Sequence, residues 1–400
     1  MTGFFVMLSG LILLILLFII DKCIIYLSCA YKYGVNGLES QSQTKYNALA
    51  DFLRDEILMG NIKPGDRIPS ENELAEKFSM SRHTVRKAIS VLVSEGYLAA
   101  RHGQGTYCVD RRPGRARSGN IGVITTYISE YIFPRIIQGI DRVLSENGYS
   151  IILKNTGNDT GMEADCLKDI LTKNIEGLIV EPTKSVLYSN NIRYYQALDS
   201  HRIPYIFIHG YYQQLENKSY ILLDDAKGMY DAVGYLAGLG HRKIVGIFKA
   251  DDIQGINRHK GYARALNDAG LAYDPDNVIW FHTEDRETKP SQAVRHMIET
   301  GREIDAIACY NDQVAVRILK QLYDLGIRVP HDISVTGFDD SFLSENSPVE
   351  LTTVAHPKEK LGALAAQILL QMLKDDDYLK KPVHEILIPK LVVKGSCMKR

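Results

Sequence analysis

Apolar and polar positions follow three different rhythms along this chain. From Gly3 to Ile20 (GFFVMLSGLILLILLFII) there is no charged residue, and a run of about 18 apolar residues just reaches across a bilayer. From Lys45 the rhythm becomes helical. In KYNALADFLRDEIL, Leu49, Phe52, Leu53, Ile57 and Leu58 fall on one face. Beyond Gly119, short β-rich apolar runs alternate with amphipathic stretches of ten or more residues. IGVITTYI is followed by FPRIIQGIDRVLSENG, where Ile136, Ile137, Ile140, Val143 and Leu144 recur at helical spacing before Gly148. The cycle repeats through YSIILKN, GLIVEP, IPYIFIHG, KIVGIFKA, NVIWF, DAIACYND and DISVTGFDD. Strands alternating with helices predict parallel sheets covered on both faces. The series is too long for one small sheet, and a midpoint near Leu222 predicts two α/β lobes.

The segment between these zones carries local stop and start signals. Ser70 and Glu73 form the S-x-x-E pattern of a capping box before ENELAEKF. Ser79-Met80 make a tight turn, Ser81 caps a second helix, RHTVRKAISVLVSEG, and Gly96 ends it. Two short helices joined by a tight turn predict a helix-turn-helix. The second helix shows Arg82, His83, Thr84, Arg86 and Lys87 in its first turns, while Val85, Ala88, Ile89 and Leu92 face inward. YLAARHGQGTYCV then reads as a hairpin whose Gly103 and Gly105 permit positive φ at a slim tip.

Composition changes this picture little. The net charge is −1, with 45% hydrophobic and 24% charged residues, ordinary for a globular protein. Charge is unevenly spread, however: Ser81 to Arg117 holds eight Lys/Arg against two Asp/Glu, a local +6. Such a patch suits phosphate neutralisation. Six scattered cysteines without a CxxC pair argue against a zinc module or disulfide scaffold. No P-loop, GxSxG or HExxH string occurs, so catalytic, metal and cofactor assignments are all none, and an enzyme is not expected.

PGDRIPSENELAEKF, SRHTVRKAI, Glu95-Gly96-Tyr97-Leu98 and GQGT stand in the order and spacing of the GntR-type winged helix-turn-helix, which residues 44–110 resemble. The resemblance implies DNA contacts from Arg82, Thr84, Arg86 and Gly103, with Arg67 and Ser70 near phosphate. His83 and Lys87 join them by position on the helix. Against this, Ser70 and Ser81 need only cap helices, Thr84 need only pack and His83 need only face solvent. Residues 119–400 resemble the two-lobed, periplasmic-binding-protein-like domain of the LacI/GalR family. That likeness rests on GIDRVLSENGYSIIL, LGHRKI, GINRHKGYARAL, YNDQVA, GIRVPHDISVTGFDD and LTTV-x-HP. The pairing of the two domains, with VITTYISEYIFP, GLIVEPTK and GIFKADD, resembles the arabinose-responsive regulators of Bacillus-type bacteria. It implies a homodimeric repressor of arabinose-utilisation genes that leaves double-stranded operator DNA when L-arabinose or a related sugar binds.

In open α/β sheets ligands bind where strands end. Tyr127, Tyr131, Glu181, His209, Arg258, Asp312 and Asp339 occupy such places, and by resemblance Arg258, Asp312 and Asp339 lead. Each has a plainer alternative: Asp312 caps the next helix, Asp339 stabilises a loop, Glu181 pairs with Lys184.

The expected organisation is a hydrophobic segment 1–31, a polar lead-in 32–43, an α+β winged helix-turn-helix 44–110, a linker 111–118 and the effector and dimerisation domain 119–400. Residues 1–31 read either as a transmembrane-like helix or as translated sequence upstream of a start near Val35 or Leu38. A membrane anchor would hold both domains on the cytoplasmic side, since Lys22 and Lys32 follow the apolar run. It is also what the rival function, a membrane-anchored sugar receptor or transport-binding protein, would use. Without the anchor, a nucleoid-associated cytoplasmic protein is expected.

Overall fold

A computed structural model describes residues 45–101, 103–109, 118–129, 131–375 and 381–400. The expected segments 1–31 and 32–43 lie outside these residues, as does the linker apart from Ser118. No helix among the described residues is long and apolar enough to cross a membrane. The described residues divide into two compact units, one holding residues 45–53 and 69–95, the other holding 54–68 and those from 96 onward.

In the first unit, helix α1 (Lys45–Leu58, continuing into the second unit) precedes α2 (Glu71–Lys77) and α3 (Arg82–Ser94). The capping box is present: Ser70 Oγ accepts from Glu73 N at 3.3 Å, and Ser70 N donates to Glu73 Oε2 at 2.7 Å. Ser81 Oγ accepts from Thr84 N at 3.1 Å. Val85, Ala88, Ile89 and Leu92 are buried. This is the inward face that the sequence predicts.

The second unit begins with the antiparallel hairpin β1 (Leu98–Arg101) and β2 (Gly105–Cys108). Then follow β3 (Asn120–Thr125), α4 (Phe133–Glu146), β4 (Ser150–Asn155), α5 (Thr160–Thr172), β5 (Gly177–Val180), α6 (Ile192–Ser200), β6 (Tyr205–Ile208) and β7 (Tyr220–Leu223). A second series comprises α7 (Asp225–Gly238), β8 (Ile244–Lys249), α8 (Ile253–Asp268), β9 (Val278–Phe281), α9 (Lys289–Glu299), β10 (Ala306–Cys309), α10 (Asp312–Asp324), β11 (Ser334–Thr336) and α11 (Phe342–Glu345). The chain closes with β12 (Thr353–Ala355), α12 (Lys358–Lys374), β13 (His384–Leu387) and β14 (Lys390–Val392).

Two parallel sheets result. One has the order β13-β7-β6-β5-β3-β4 and the other β11-β10-β8-β9. Their central strands are uniformly buried, as in GLIV, YIFI and AIAC, which is why they read as continuous apolar runs rather than alternating ones. The chain leaves the first lobe near Leu222, where the sequence placed its midpoint. It then returns: α12 and β13 belong to the first lobe, and β12, bridged to the end of β11, pairs antiparallel with β14.

Two glycines make the return of α12 possible. A Cβ on Gly362 would lie 2.1 Å from Ile136 O, and one on Gly139 would lie 2.2 Å from Glu359 O. The backbones of α4 and α12 therefore touch where each helix lacks a side chain. Around that crossing Ile136, Ile140, Leu144, Leu361, Ala365 and Leu369 are fully buried.

Candidate functional site

Strands β3, β5, β6, β8, β10 and β11 all point their C-terminal ends at one cleft between the lobes. Its open volume is about 790 Å³. Among the sequence-predicted residues, Tyr127, Tyr131, Glu181, Arg258 and Asp339 line it. His209 and Asp312 stand directly behind it, both buried.

Glu181 is 6% exposed. Its Oε2 accepts from Thr126 N at 2.9 Å and Thr126 Oγ1 at 2.5 Å, and its Oε1 from His209 Nδ1 at 2.8 Å. Burial raises its pKa, but the hydrogen bonds from His209 and Thr126 outweigh it and bring it below the usual glutamate range. Glu181 thus stays a carboxylate, able to accept from a ligand. It does not pair with Lys184, which reaches across to Glu284 instead.

Arg258 is 1% exposed. It donates to Asp225 Oδ1 at 2.8 Å, to Tyr310 O at 2.6 Å and to Asp339 Oδ1 at 3.5 Å, and its guanidinium lies 3.7 Å from the Phe338 ring centroid. Burial opposes its charge, yet the Asp225 and Asp339 carboxylates outweigh burial and raise its pKa. Asp339 also accepts from Tyr131 Oη at 2.7 Å. Burial first, and the nearby Asp339 and Asp312 carboxylates next, keep the Tyr131 phenol protonated.

Asp312 turns away from the cleft. Its Oδ2 accepts from Ser341 N and Oγ at 2.8 and 2.9 Å, and its Oδ1 from Thr353 Oγ1 at 2.6 Å. It ties α10 to the crossing segment between the lobes. Burial, aided by Asp339, pushes its carboxyl up to about 7. The cap of α10 is Asn311, whose side chain accepts from Val314 N at 3.0 Å.

Several cleft residues were not candidates from sequence. Asn158 follows β4, Asp252 follows β8 and Arg286 follows β9, so the strand-end rule extends to them. Asn158 Nδ2 donates to Thr283 Oγ1 at 2.6 Å, and Ser185 Oγ accepts from Ile253 N at 2.9 Å, joining the two lips of the cleft. Arg286 donates to the Tyr127 hydroxyl from the opposite lobe and lies 4.6 Å from its ring centroid. Lys249 is held by Asp252 at 3.0 Å and Asp251 at 3.3 Å. Tyr131, Asn158, His209 and Asp339 all have positive φ, at 67°, 59°, 63° and 99°. Strained non-glycine backbone of this kind gathers at binding sites.

The predicted DNA-reading residues are arranged as follows. Arg82, His83, Arg86 and Lys87 are exposed on α3. Arg86 forms a two-point pair with Glu71, at 3.0 and 2.8 Å, and that hydrogen bond draws the Glu71 carboxyl down. Lys87 Nζ lies 4.0 Å from the Tyr46 ring centroid. Thr84 is half-buried, its hydroxyl 2.8 Å from Ser81 Oγ. Ser70 is engaged in the capping box. On the hairpin, Gly103 is exposed with φ 73°. Arg67 is exposed, and its Nε would lie 2.7 Å from a Cβ at Gly105.

Comparison with known proteins adds relatives. The profile described as bacterial regulatory proteins, gntR family, matches residues 45–108, and that of the periplasmic binding protein-like domain matches 233–397. An arabinose metabolism transcriptional repressor of Halalkalibacterium halodurans is 42% identical over 363 residues, covering 88% of this chain and 96% of the relative. Another, from Geobacillus stearothermophilus, is 36% identical over 363 residues, covering 90% and 99%. Among solved structures, CcpA of Lactococcus lactis superposes with TM-score 0.60 at 24% identity over 70% of this chain and 98% of that one, a likeness of fold alone. With both domain profiles in sequence order and relatives aligned along almost their whole length, the chain belongs to the family of arabinose metabolism transcriptional repressors, sugar-responsive DNA-binding regulators rather than enzymes.

Proposed function

We propose that the cleft takes L-arabinose and that the filled cleft loosens a homodimer from its operator. The carrying observation is the convergence of Glu181, Asp339 and Arg258 with Asn158 and the rings of Tyr127 and Phe133 on a single cavity. A sugar presents adjacent hydroxyls that need fixed donors and acceptors, and C–H faces that lie against aromatic rings. Residues 119–400 serve as effector and dimerisation domain, and residues 44–110 carry the DNA contacts. Arg82, Arg86 and Lys87, with Arg67 and Gly103 on the hairpin, supply them. Sugar acts by binding one lobe arrangement better than another. In a dimer this changes the spacing of two DNA-reading heads that must match two half-sites. The working location is the cytoplasmic nucleoid.

Titration of operator DNA with the purified full chain, with and without L-arabinose, tests this reading. Weaker operator binding with sugar is expected; unchanged affinity at saturating sugar overturns it. Cell fractionation tests the location, and recovery of the protein with membranes would replace the nucleoid with an inner-membrane tether.

A further inference from the structure

The LTTV-x-HP stretch contains a histidine that neither DNA reading nor ligand contact uses. His356 sits between β12 and α12, on the segment that returns from the second lobe to the first. Its ring is 4% exposed, and its Nε2 lies 3.0 Å from His209 Nε2. His209 in turn donates Nδ1–H to Glu181, on the wall of the cleft. We infer that His356 is a positioning residue for effector binding: acting through His209, it holds the Glu181 carboxylate in place and ties it to the crossing segment. This rests on the proposed reading that the cleft binds a sugar.

Proton counting gives the chain a direction. Two imidazole nitrogens 3.0 Å apart are stable only with one proton between them, because two lone pairs repel and two N–H groups collide. Glu181 is a carboxylate and already takes the Nδ1 proton of His209. With one proton on each ring, His209 Nε2 is the bare acceptor and the shared proton belongs to His356 Nε2. His356 Nδ1 is then a bare acceptor, consistent with its lack of any hydrogen-bond partner among the described residues. The opposite placement would bury an N–H donor without an acceptor, the rarer defect.

The surroundings keep His356 neutral. His356 faces His209 at the end of β6 and Arg258 on α8, with Lys358 on its own segment. Its backbone N–H donates to Asp339 O at 3.3 Å. Phe133 packs edge-on against His209 at 6.4 Å between centroids. Burial, then His209, Lys358 and Arg258, hold the His356 pKa well below the ordinary histidine value. A proton added to His356 goes to its bare Nδ1 and leaves the Nε2–Nε2 bond made, so effector affinity should follow the donor at Nε2 rather than the charge of the ring.

Calorimetric titration of the full chain with L-arabinose at pH 7.5 reads this, with two substitutions. His356→Gln keeps an N–H donor toward His209 and should bind within about threefold of wild type. His356→Leu fills the space without a donor and strands His209 Nε2; it should bind about tenfold more weakly at pH 7.5. If His356→Leu binds like wild type, His356 is only a space-filler and the proposal fails. Nitrogen spectra of histidine-labelled, sugar-free protein give an independent reading: His356 should be protonated at Nε2 and bare at Nδ1, and the reverse overturns the assignment. Wild-type protein giving no heat with L-arabinose would overturn the arabinose reading alone, leaving His356 to be decided by the nitrogen spectra.

Discussion

Replacing Arg258 by methionine removes a cation that ties Asp225, Tyr310 and Asp339 together at the floor of the cleft. The guanidinium bonds Asp225, the Tyr310 carbonyl and Asp339, and all three side chains around it are buried. Methionine keeps most of the volume against Phe338 but leaves the Asp225 carboxylate at 3% exposure without its counter-ion. Removing one partner of a buried ion pair costs about 3–5 kcal/mol, dominated by the stranded charge rather than by the lost attraction. The stranded partner can itself be neutralised, so Arg258→Met with Asp225→Asn should regain part of that loss. Urea unfolding followed by the fluorescence of Trp280, the single tryptophan, reports on the second lobe directly because Trp280 lies in β9. The expected order of stability is wild type, then the double variant, then Arg258→Met. The reasoning is refuted if Arg258→Met lies within about 1 kcal/mol of wild type, or if the double variant is no more stable than the single.

Other expectations follow from local geometry. Gly362→Ala pushes a methyl group into Ile136 O and should destabilise the first lobe by about 1–3 kcal/mol; an unfolding midpoint equal to wild type would contradict the α4–α12 contact. Arg82→Ala should cost about 1–3 kcal/mol of operator binding and relax sequence preference, whereas Lys87→Ala should weaken all DNA alike and reduce the salt slope by about 1; binding titrations at several salt concentrations separate the two. Burial keeps His356 neutral when folded while the unfolded residue titrates near 6.5. The unfolded chain therefore binds the extra proton first, and this residue's contribution is complete above about pH 6.5 and shrinks as pH falls toward its depressed folded value. Asp312, raised to about 7, has the opposite sign: its contribution is complete below the unfolded carboxyl value of about 4 and is lost as pH rises through 7. Comparing urea midpoints of wild type and His356→Gln from pH 5 to 8 isolates the histidine; equal pH slopes would rule out its titration.

How much of this was readable in advance depended on the range of the forces involved. The capping box at Ser70, the turn at Ser79, the inward face of α3 and the alternation of strand and helix are set by neighbours a few residues apart, and each leaves a spacing in the chain. Strand-end placement located Tyr127, Tyr131, Glu181 and Asp339 on the cleft, because every parallel strand delivers the chain to the same edge, and Arg258 reaches it from the start of α8. The same rule had to be carried to β4, β8 and β9 before Asn158, Asp252 and Arg286 came into view.

The sequence by itself determined which segments become strands and helices and which strand ends share a rim, since backbone hydrogen bonding and apolar periodicity are local. Only the tertiary structure decided what each polar group at that rim does. The pairing of β11 beside β10 brings Ser341 onto Asp312, and β12 adds Thr353, turning a ligand candidate into a brace. The return of α12 and β13 to the first lobe, allowed by the facing glycines 139 and 362, carries His356 to His209, 147 positions earlier. Arg86 is likewise paired with Glu71, 15 positions before it. A buried polar group takes whichever partner the packing supplies, and spacing along the chain does not name that partner.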